Sequence, residues 1–224
     1  MLRRMGMSLI GGRGAQWLRE LNERHPWSHN DYFHSWILAN LPDRHRRAVD
    51  MGCGRGGLVR ALAPHFDQVA GADSDSEMRR IAQATSAAVG NVSITDRQLD
   101  SWPDDSIDLV TMVAVLHHLD VDDAVRHVER ILAPGGRALI VGLAPPRSVR
   151  DLLWDSVSIV TNPLIGFIHR PWPSPATAST PFPVEDPVLS FDEIRDIVEK
   201  RLPGAKMRHR IGFRHTIEWT KPPR

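Results

Sequence analysis

Val49-Asp50-Met51-Gly52-Cys53-Gly54-Arg55-Gly56-Gly57 is the stretch from which the fold can be read. Ala48 to Met51 is a short apolar run with strand character. The glycines after it let the backbone turn tightly and approach a ligand where any side chain would clash. Past the turn, Leu58, Leu62 and Phe66 fall at helical spacing, so a helix should follow.

The same alternation repeats through the residues that follow. Val69-Ala70-Gly71-Ala72-Asp73 is a second strand, Ser76 to Ala88 a helix with Met78, Ile81 and Ala82 inward, and Val92-Ser93-Ile94-Thr95 a short third strand. Ile107 to Val115 is apolar on both faces, as a central parallel strand must be. A helix carrying Val125, Val128, Ile131 and Leu132 comes next, stopped by Pro134-Gly135-Gly136, and Ala138-Leu139-Ile140-Val141 is a fifth strand. Strands separated by helices of this length predict right-handed crossovers and an α/β, doubly wound, mostly parallel sheet.

The flanks differ from this core. Residues 1–44 predict an N-terminal helical cap, one helix with Trp17, Leu18 and Leu21 on a face and a second with Phe33, Trp36, Ile37 and Leu41, closed by Pro42. Residues 45–224 form the main domain, with a Pro-rich lid or acceptor segment at 144–189. Arg147–Val160 has helical character, and seven prolines between Asn162 and Pro187 exclude a regular element there. Ser190, three residues before Glu193, opens a helix through Leu202. Ala205–Phe213 and His215–Thr220 then suit two terminal strands.

Composition excludes several classes. The 224 residues carry 28 Lys and Arg against 27 Asp and Glu, a net charge of +1 that by itself calls for no polyanion. No apolar run approaches the ~20 residues of a membrane span. The N-terminus has basic residues without a signal-like apolar stretch, and Cys53 has no partner for an internal disulfide. A cytoplasmic protein is expected. Cys53 stands alone inside the glycine turn and the histidines lack ligand spacing, so no metal is expected.

The turn itself admits two ligands. Gly52, Gly54 and Gly57 satisfy the dinucleotide spacing G-x-G-x-x-G, while Asp50, Gly52, Gly54 and Gly56 satisfy D-x-G-x-G-x-G. A pyrophosphate over the turn disfavours a carboxylate there. S-adenosylmethionine has no phosphate and carries ammonium and sulfonium cations, which an acid at the strand tip suits. Asp73, 23 positions after Asp50, is placed to accept both ribose hydroxyls, and Asp96 after the third strand to accept from the adenine amino group, with Arg97 beside the ring. Three acids at successive strand tips line the edge where open α/β sheets bind ligands.

Val49 to Gly56, Gly71-Ala72-Asp73, the stretch from Asp96 through Pro103-Asp104-Asp105-Ser106-Ile107-Asp108-Leu109-Val110, Val115-Leu116-His117-His118-Leu119 and Leu132-Ala133-Pro134-Gly135-Gly136 together resemble the class I S-adenosylmethionine-dependent methyltransferases over roughly residues 45–143. The resemblance implies a Rossmann-like methyltransferase fold, a seven-stranded sheet whose last strand is antiparallel. The expected cofactor contacts are Asp50, Gly52, Cys53, Gly54, Gly56, Asp73, Ser74, Asp96, Arg97 and Val113, with S-adenosylhomocysteine as product.

On the acceptor side, His117 and His118 follow the fourth strand and are candidate general bases, with backbone bonding or helix capping as their structural alternative. His29, Tyr32 and His34 in the cap, with Trp154 and Trp172 beyond the core, are candidate acceptor contacts. The expected reaction methylates a small apolar or aromatic metabolite. A macromolecular (RNA or protein) methyltransferase, a non-catalytic S-adenosylmethionine-binding protein and an NAD-dependent oxidoreductase are the other readings. Nine Lys and Arg from Arg195 onward suit the macromolecular reading, or simply a solvated strand edge. The family's Asn/Asp-Pro-Pro-aromatic tetrad for nucleobase amines is missing after the fourth strand, which disfavours base methylation and a nucleic-acid partner.

Overall fold

The computed structural model describes residues 29–148, 151, 154, 187–211 and 214–223. Its chain order is α1 (His29–Leu38), β1 (Arg47–Met51), α2 (Gly57–Leu62), β2 (Gln68–Ala72), α3 (Ser76–Ser86), β3 (Val92–Thr95), β4 (Ile107–Val113), α4 (Val121–Ile131), β5 (Leu132–Gly142), α5 (Phe191–Arg201), β6 (Lys206–Arg210) and β7 (Arg214–Thr220). These strands form one seven-stranded sheet in the order β3-β2-β1-β4-β5-β7-β6. β1 to β5 run parallel, and β7 is antiparallel to both β5 and β6. This is the doubly wound arrangement, and its strand order reverses between β1 and β4, where such sheets open a crevice for ligands.

Each face of the sheet has its own core. On one, Ile37, Leu58, Val59, Leu62 and Ala82 of α1, α2 and α3 pack with Ala48, Val69, Leu109 and Leu139. On the other, Val125, Val128 and Ile131 of α4 and Ile194 and Val198 of α5 pack with Val49, Val110, Met112, Ile140 and Ile217. β4 contributes to both, which is why six of its seven residues are buried. Its start is pinned by Asp108, buried against Arg44 at 3.0 Å and accepting from the backbone N–H of Arg46 and Arg47 at 3.0 and 3.1 Å. The helix starts are specified by side chains: Asp75 caps α3, Asp120 caps α4, and Ser190 with Glu193 closes a capping box on α5. β3 and β6 are the edge strands, and Lys206 and Arg208 are exposed along β6. Among the described residues no helix is long and apolar enough to cross a membrane.

Several expected boundaries shift. The helix after the glycine turn ends at Leu62 and continues as a 3₁₀ turn over Ala63–His65 before Phe66. The second cap helix stops at Leu38, short of Leu41 and Pro42. Pro134-Gly135-Gly136 does not stop a helix. Leu132 already has extended dihedrals, α4 ends at Ile131, and these three residues lie inside β5, tied to the chain end by Gly135 N–H on Lys221 O and Lys221 N–H on Gly136 O. β4 ends at Val113, because Ala114 takes the left-handed region at φ 60°. The sixth strand ends at Arg210. The helix expected over Trp17–Leu21 and the proline segment fall outside the described residues, as does most of the Arg147–Val160 helix, of which Asp151 and Trp154 are helical.

Candidate active site

The glycine turn between β1 and α2 is built by hydrogen bonds to the tip of β2. Gly52 and Cys53 both donate to Ala72 O, at 2.7 and 3.0 Å. Gly54 N–H donates to Asp73 Oδ2 at 2.8 Å, while Asp73 Oδ1 accepts from Asp75 N–H at 2.9 Å. Gly52, Gly54 and Gly56 all have positive φ, 70°, 51° and 74°. At Gly52 a Cβ would also fall 2.1 Å from Val115 Cγ2, so the turn lies directly on a side chain that follows β4. At Gly54 a Cβ would meet nothing within 4 Å. The outer face of the turn is therefore open, and its backbone is the surface a ligand would meet.

Carboxylates surround this opening. Asp50 lies beneath it, 3% exposed, accepting from Thr111 Oγ1 at 2.7 Å across the β1–β4 pair. Burial pushes its carboxyl up to about 7; the Thr111 bond opposes this and the charge of Asp73 adds to it. Asp73 is half-buried at the tip of β2, and each of its oxygens keeps a lone pair beyond the one its backbone donor occupies. Ser74 is exposed beside it, and Arg79 holds the Asp73 and Ser74 carbonyls at 2.9 Å each. Asp96 is exposed past β3; Arg97 lies over the Trp102 ring, 5.2 Å from its centroid. Val113 is half-buried at the end of β4. The Cys53 thiol is buried, and burial together with Asp50 and Asp73 pushes it up to about 12, so it is inert. The expected cofactor residues thus gather on the tips of four adjacent strands.

The acceptor-side residues are more scattered. His117 and His118 form a 3₁₀ turn after β4, their rings 3.9 Å apart, His117 half-buried and His118 exposed. His34 lies over the start of α2, its Cε1 3.4 Å from where a Gly57 Cβ would stand. Tyr32 is 39% exposed, edge-on to Phe33. His29 is described only as the first residue of α1, and Trp172 lies outside the described residues. Trp154 stacks toward His209, with centroids 6.0 Å apart, and lines a cavity at the tips of β5, β6 and β7. His209, His215, Phe191 and Asp151 share that cavity and were not singled out by the sequence. The roles of Thr111 and Val115 were likewise missed, because they depend on which strands are neighbours, and that of Arg79 because its bonds to the Asp73 and Ser74 carbonyls need the turn from β2 into α3 to be known.

A family described as Methyltransferase domain matches residues 49–140, from within β1 to within β5. The uncharacterized methyltransferase Rv0089 of Mycobacterium tuberculosis is 29% identical over 202 residues, covering 88% of this chain and 98% of that protein. The ubiquinone/menaquinone biosynthesis C-methyltransferase UbiE of Pseudomonas aeruginosa is 29% identical over 130 residues, 54% of this chain and 51% of its own. Among solved structures, geranyl diphosphate methyltransferase in complex with S-adenosylmethionine has the same fold, with a TM-score of 0.59 at 16% identity over 85% of this chain and 84% of that one.

Proposed function

We propose that this chain, which belongs to the class I S-adenosylmethionine-dependent methyltransferases, methylates a small apolar or aromatic metabolite. The observation that carries the cofactor assignment is the open glycine turn with Asp50 beneath it and Asp73 and Asp96 on the next two strand tips. Backbone without side chains and a ring of carboxylates fits a ligand that is cationic at one end and presents hydroxyls and an amine elsewhere. In this reading the Gly52–Gly56 turn and Asp50 hold the methionine portion, Asp73 the ribose, and Asp96 with Arg97 the adenine, while Cys53, Ser74 and Val113 line the site. The bound cofactor supplies an electrophilic methyl; the protein aligns the acceptor with it and excludes water.

His117 or His118 takes the acceptor's proton, and Tyr32, His34 and Trp154 border the acceptor. Small organic acceptors are supported by the names of two relatives in fold or sequence, one for quinone biosynthesis and one for geranyl diphosphate. The aromatic lining contributed by Trp154 and Phe191 agrees. Calorimetry should give saturable binding of S-adenosylmethionine and none of NAD. A panel of phenols, quinols and prenyl compounds should then yield S-adenosylhomocysteine with at least one member. Binding of NAD in place of S-adenosylmethionine would reject the reading, and turnover only with RNA or protein would replace the acceptor class.

Asp73→Ala should weaken S-adenosylhomocysteine binding more than tenfold by calorimetry, since a carboxylate receiving two hydroxyls makes two charge-assisted bonds. Because Asp73 also holds Gly54 and Asp75, a 2′-deoxy analogue serves as control. Wild type should prefer the natural ligand over the analogue and the variant should not. Equal discrimination by both proteins would remove Asp73 from the ribose.

A further inference from the structure

One rung of the sheet, beyond the glycine turn, carries an unusual set of residues. Gly142 of β5 is paired with His215 of β7, and His215 with His209 of β6. A Cβ on Gly142 would stand 2.3 Å from His215 Nε2, so only glycine lets this ring lie across β5. His215 is 2% exposed, and among the described residues its Nε2 is buried with no hydrogen-bond partner. Burial, with the charges of His209, Arg214 and His117, pushes this imidazole down to about 3, so it is neutral. A buried, unpaired polar atom of this kind is costly unless a ligand or water meets it.

The cavity that His215 lines has a volume of about 30 Å³, room for one or two water-sized atoms and hence for a polar head rather than a whole metabolite. Its walls include Phe191, Trp154 and His209, whose rings are nearly parallel: Phe191 and His209 stack at 3.7 Å and 17°, His209 and Trp154 at 6.0 Å and 12°. Asp151 lies 3.6 Å from His209 Nε2, and its other oxygen accepts from the Arg147 and Ser148 N–H groups. Burial works to raise the Asp151 carboxyl, and the Ser148 hydroxyl and these N–H groups outweigh it, so it stays ionised with its charge already engaged. Arg210 and Arg214 also line the cavity, and Arg210 is fixed by Thr216 Oγ1 at 3.0 Å. Among the described residues the lining thus carries two guanidinium groups, Arg210 (which also lies over the Trp36 ring at 5.9 Å) and Arg214, beside one engaged carboxylate, a lining that suits an anion.

We infer that this cavity receives the anionic oxygen head, carboxylate or phenolate, of the methyl acceptor, with His215 Nε2 donating to it and Trp154 flanking the planar body. The inference rests on the methyltransferase reading above. It fits the position of the cavity: β5 is the next strand to β4, and at about 4.8 Å per strand the rung reaches His215 from the tip of β4 in about 10 Å, the length of a substituted ring.

The test uses the full chain saturated with S-adenosylhomocysteine and titrated with benzoate, 4-nitrophenolate and toluene. Calorimetry is read together with imidazole ¹H–¹⁵N correlation spectra. Benzoate or 4-nitrophenolate should bind and shift the His215 Nε2 signal, and the tighter of the two names the head group. Toluene should leave that signal in place. His215→Phe keeps the ring volume and should lose at least tenfold in affinity for the anion with unchanged affinity for S-adenosylhomocysteine. Should that variant fail to fold, the wild-type spectra alone decide. An unmoved His215 signal, an equal shift with toluene, or undiminished anion binding by His215→Phe overturns the inference. Failure of S-adenosylhomocysteine to bind overturns the methyltransferase reading instead, and the same titration on the ligand-free chain still judges the cavity.

Discussion

Gly52→Ala is expected to cost the folded chain about 3 kcal/mol and to remove measurable S-adenosylmethionine binding. Two effects add. A left-handed φ of 70° costs an L-residue roughly 1 kcal/mol. The new methyl would also overlap Val115 Cγ2 at 2.1 Å, and overpacking of this kind costs about 1–3 kcal/mol. Backing away from Val115 means moving the turn, and the Gly52 and Cys53 bonds to Ala72 O hold it in place. Urea denaturation of Gly52→Ala, Val115→Ala and the double variant separates the two costs. In the Val115→Ala background, Gly52→Ala should cost only about 1 kcal/mol, since the overlap is gone and the dihedral strain remains. Gly54→Ala is the companion measurement, because its methyl points into open space: the fold should lose only about 1 kcal/mol of dihedral strain, while ligand affinity falls. A Gly52→Ala protein as stable as wild type would refute this account of the turn.

That experiment bears on how the site is held together. The turn is not a free loop set on a strand end. It rests on Val115 from beyond β4, is tied to Ala72 and Asp73 at the tip of β2, and has Asp50 and Thr111 beneath it. Three neighbouring strands therefore position one turn of backbone, and a shift in any of them moves it.

What was legible in the sequence follows the same division. β4 was readable because apolar residues on both faces mark a strand covered on both sides, and the glycine turn because few other residues tolerate its dihedrals. The cap at Ser190 was readable because its partner Glu193 is three residues away. Local signals of this kind survive in a single sequence. Contacts that depend on strand order do not. Thr111 bonding Asp50 requires β4 beside β1, and the Gly142–His215–His209 rung requires β7 inserted antiparallel between β5 and β6. His209 and His215 therefore read only as positions within the two terminal strands. Pro134-Gly135-Gly136 misled for the opposite reason: a strong local stop signal lost to pairing with the chain end at Lys221.

Asp50→Asn should make the ligand-free protein more stable and the enzyme worse. An aspartate carboxyl at about 7, raised from 3.8, costs stability as an ion. The sign follows from proton binding: the folded state holds this proton more tightly than the unfolded chain. The penalty is therefore absent below about pH 4, grows as pH rises through the interval up to about 7, and is complete above it. Its full size is on the order of 4 kcal/mol at about pH 8. Asparagine keeps the shape and an oxygen for the Thr111 hydroxyl but carries no charge. Urea midpoints should thus rise by the equivalent of about 2–4 kcal/mol at about pH 8, and by much less at about pH 5. Binding should move the other way. A cation above the turn favours ionised Asp50, so wild-type affinity for S-adenosylmethionine should increase several-fold between about pH 6 and pH 8, with a proton released on binding. In Asp50→Asn that slope should be flat and affinity at the upper end should fall about tenfold, the scale of one partly screened charge pair. A variant with no stability gain at high pH would show that Asp50 is not strained by burial, and an unchanged pH slope would take it out of cation recognition.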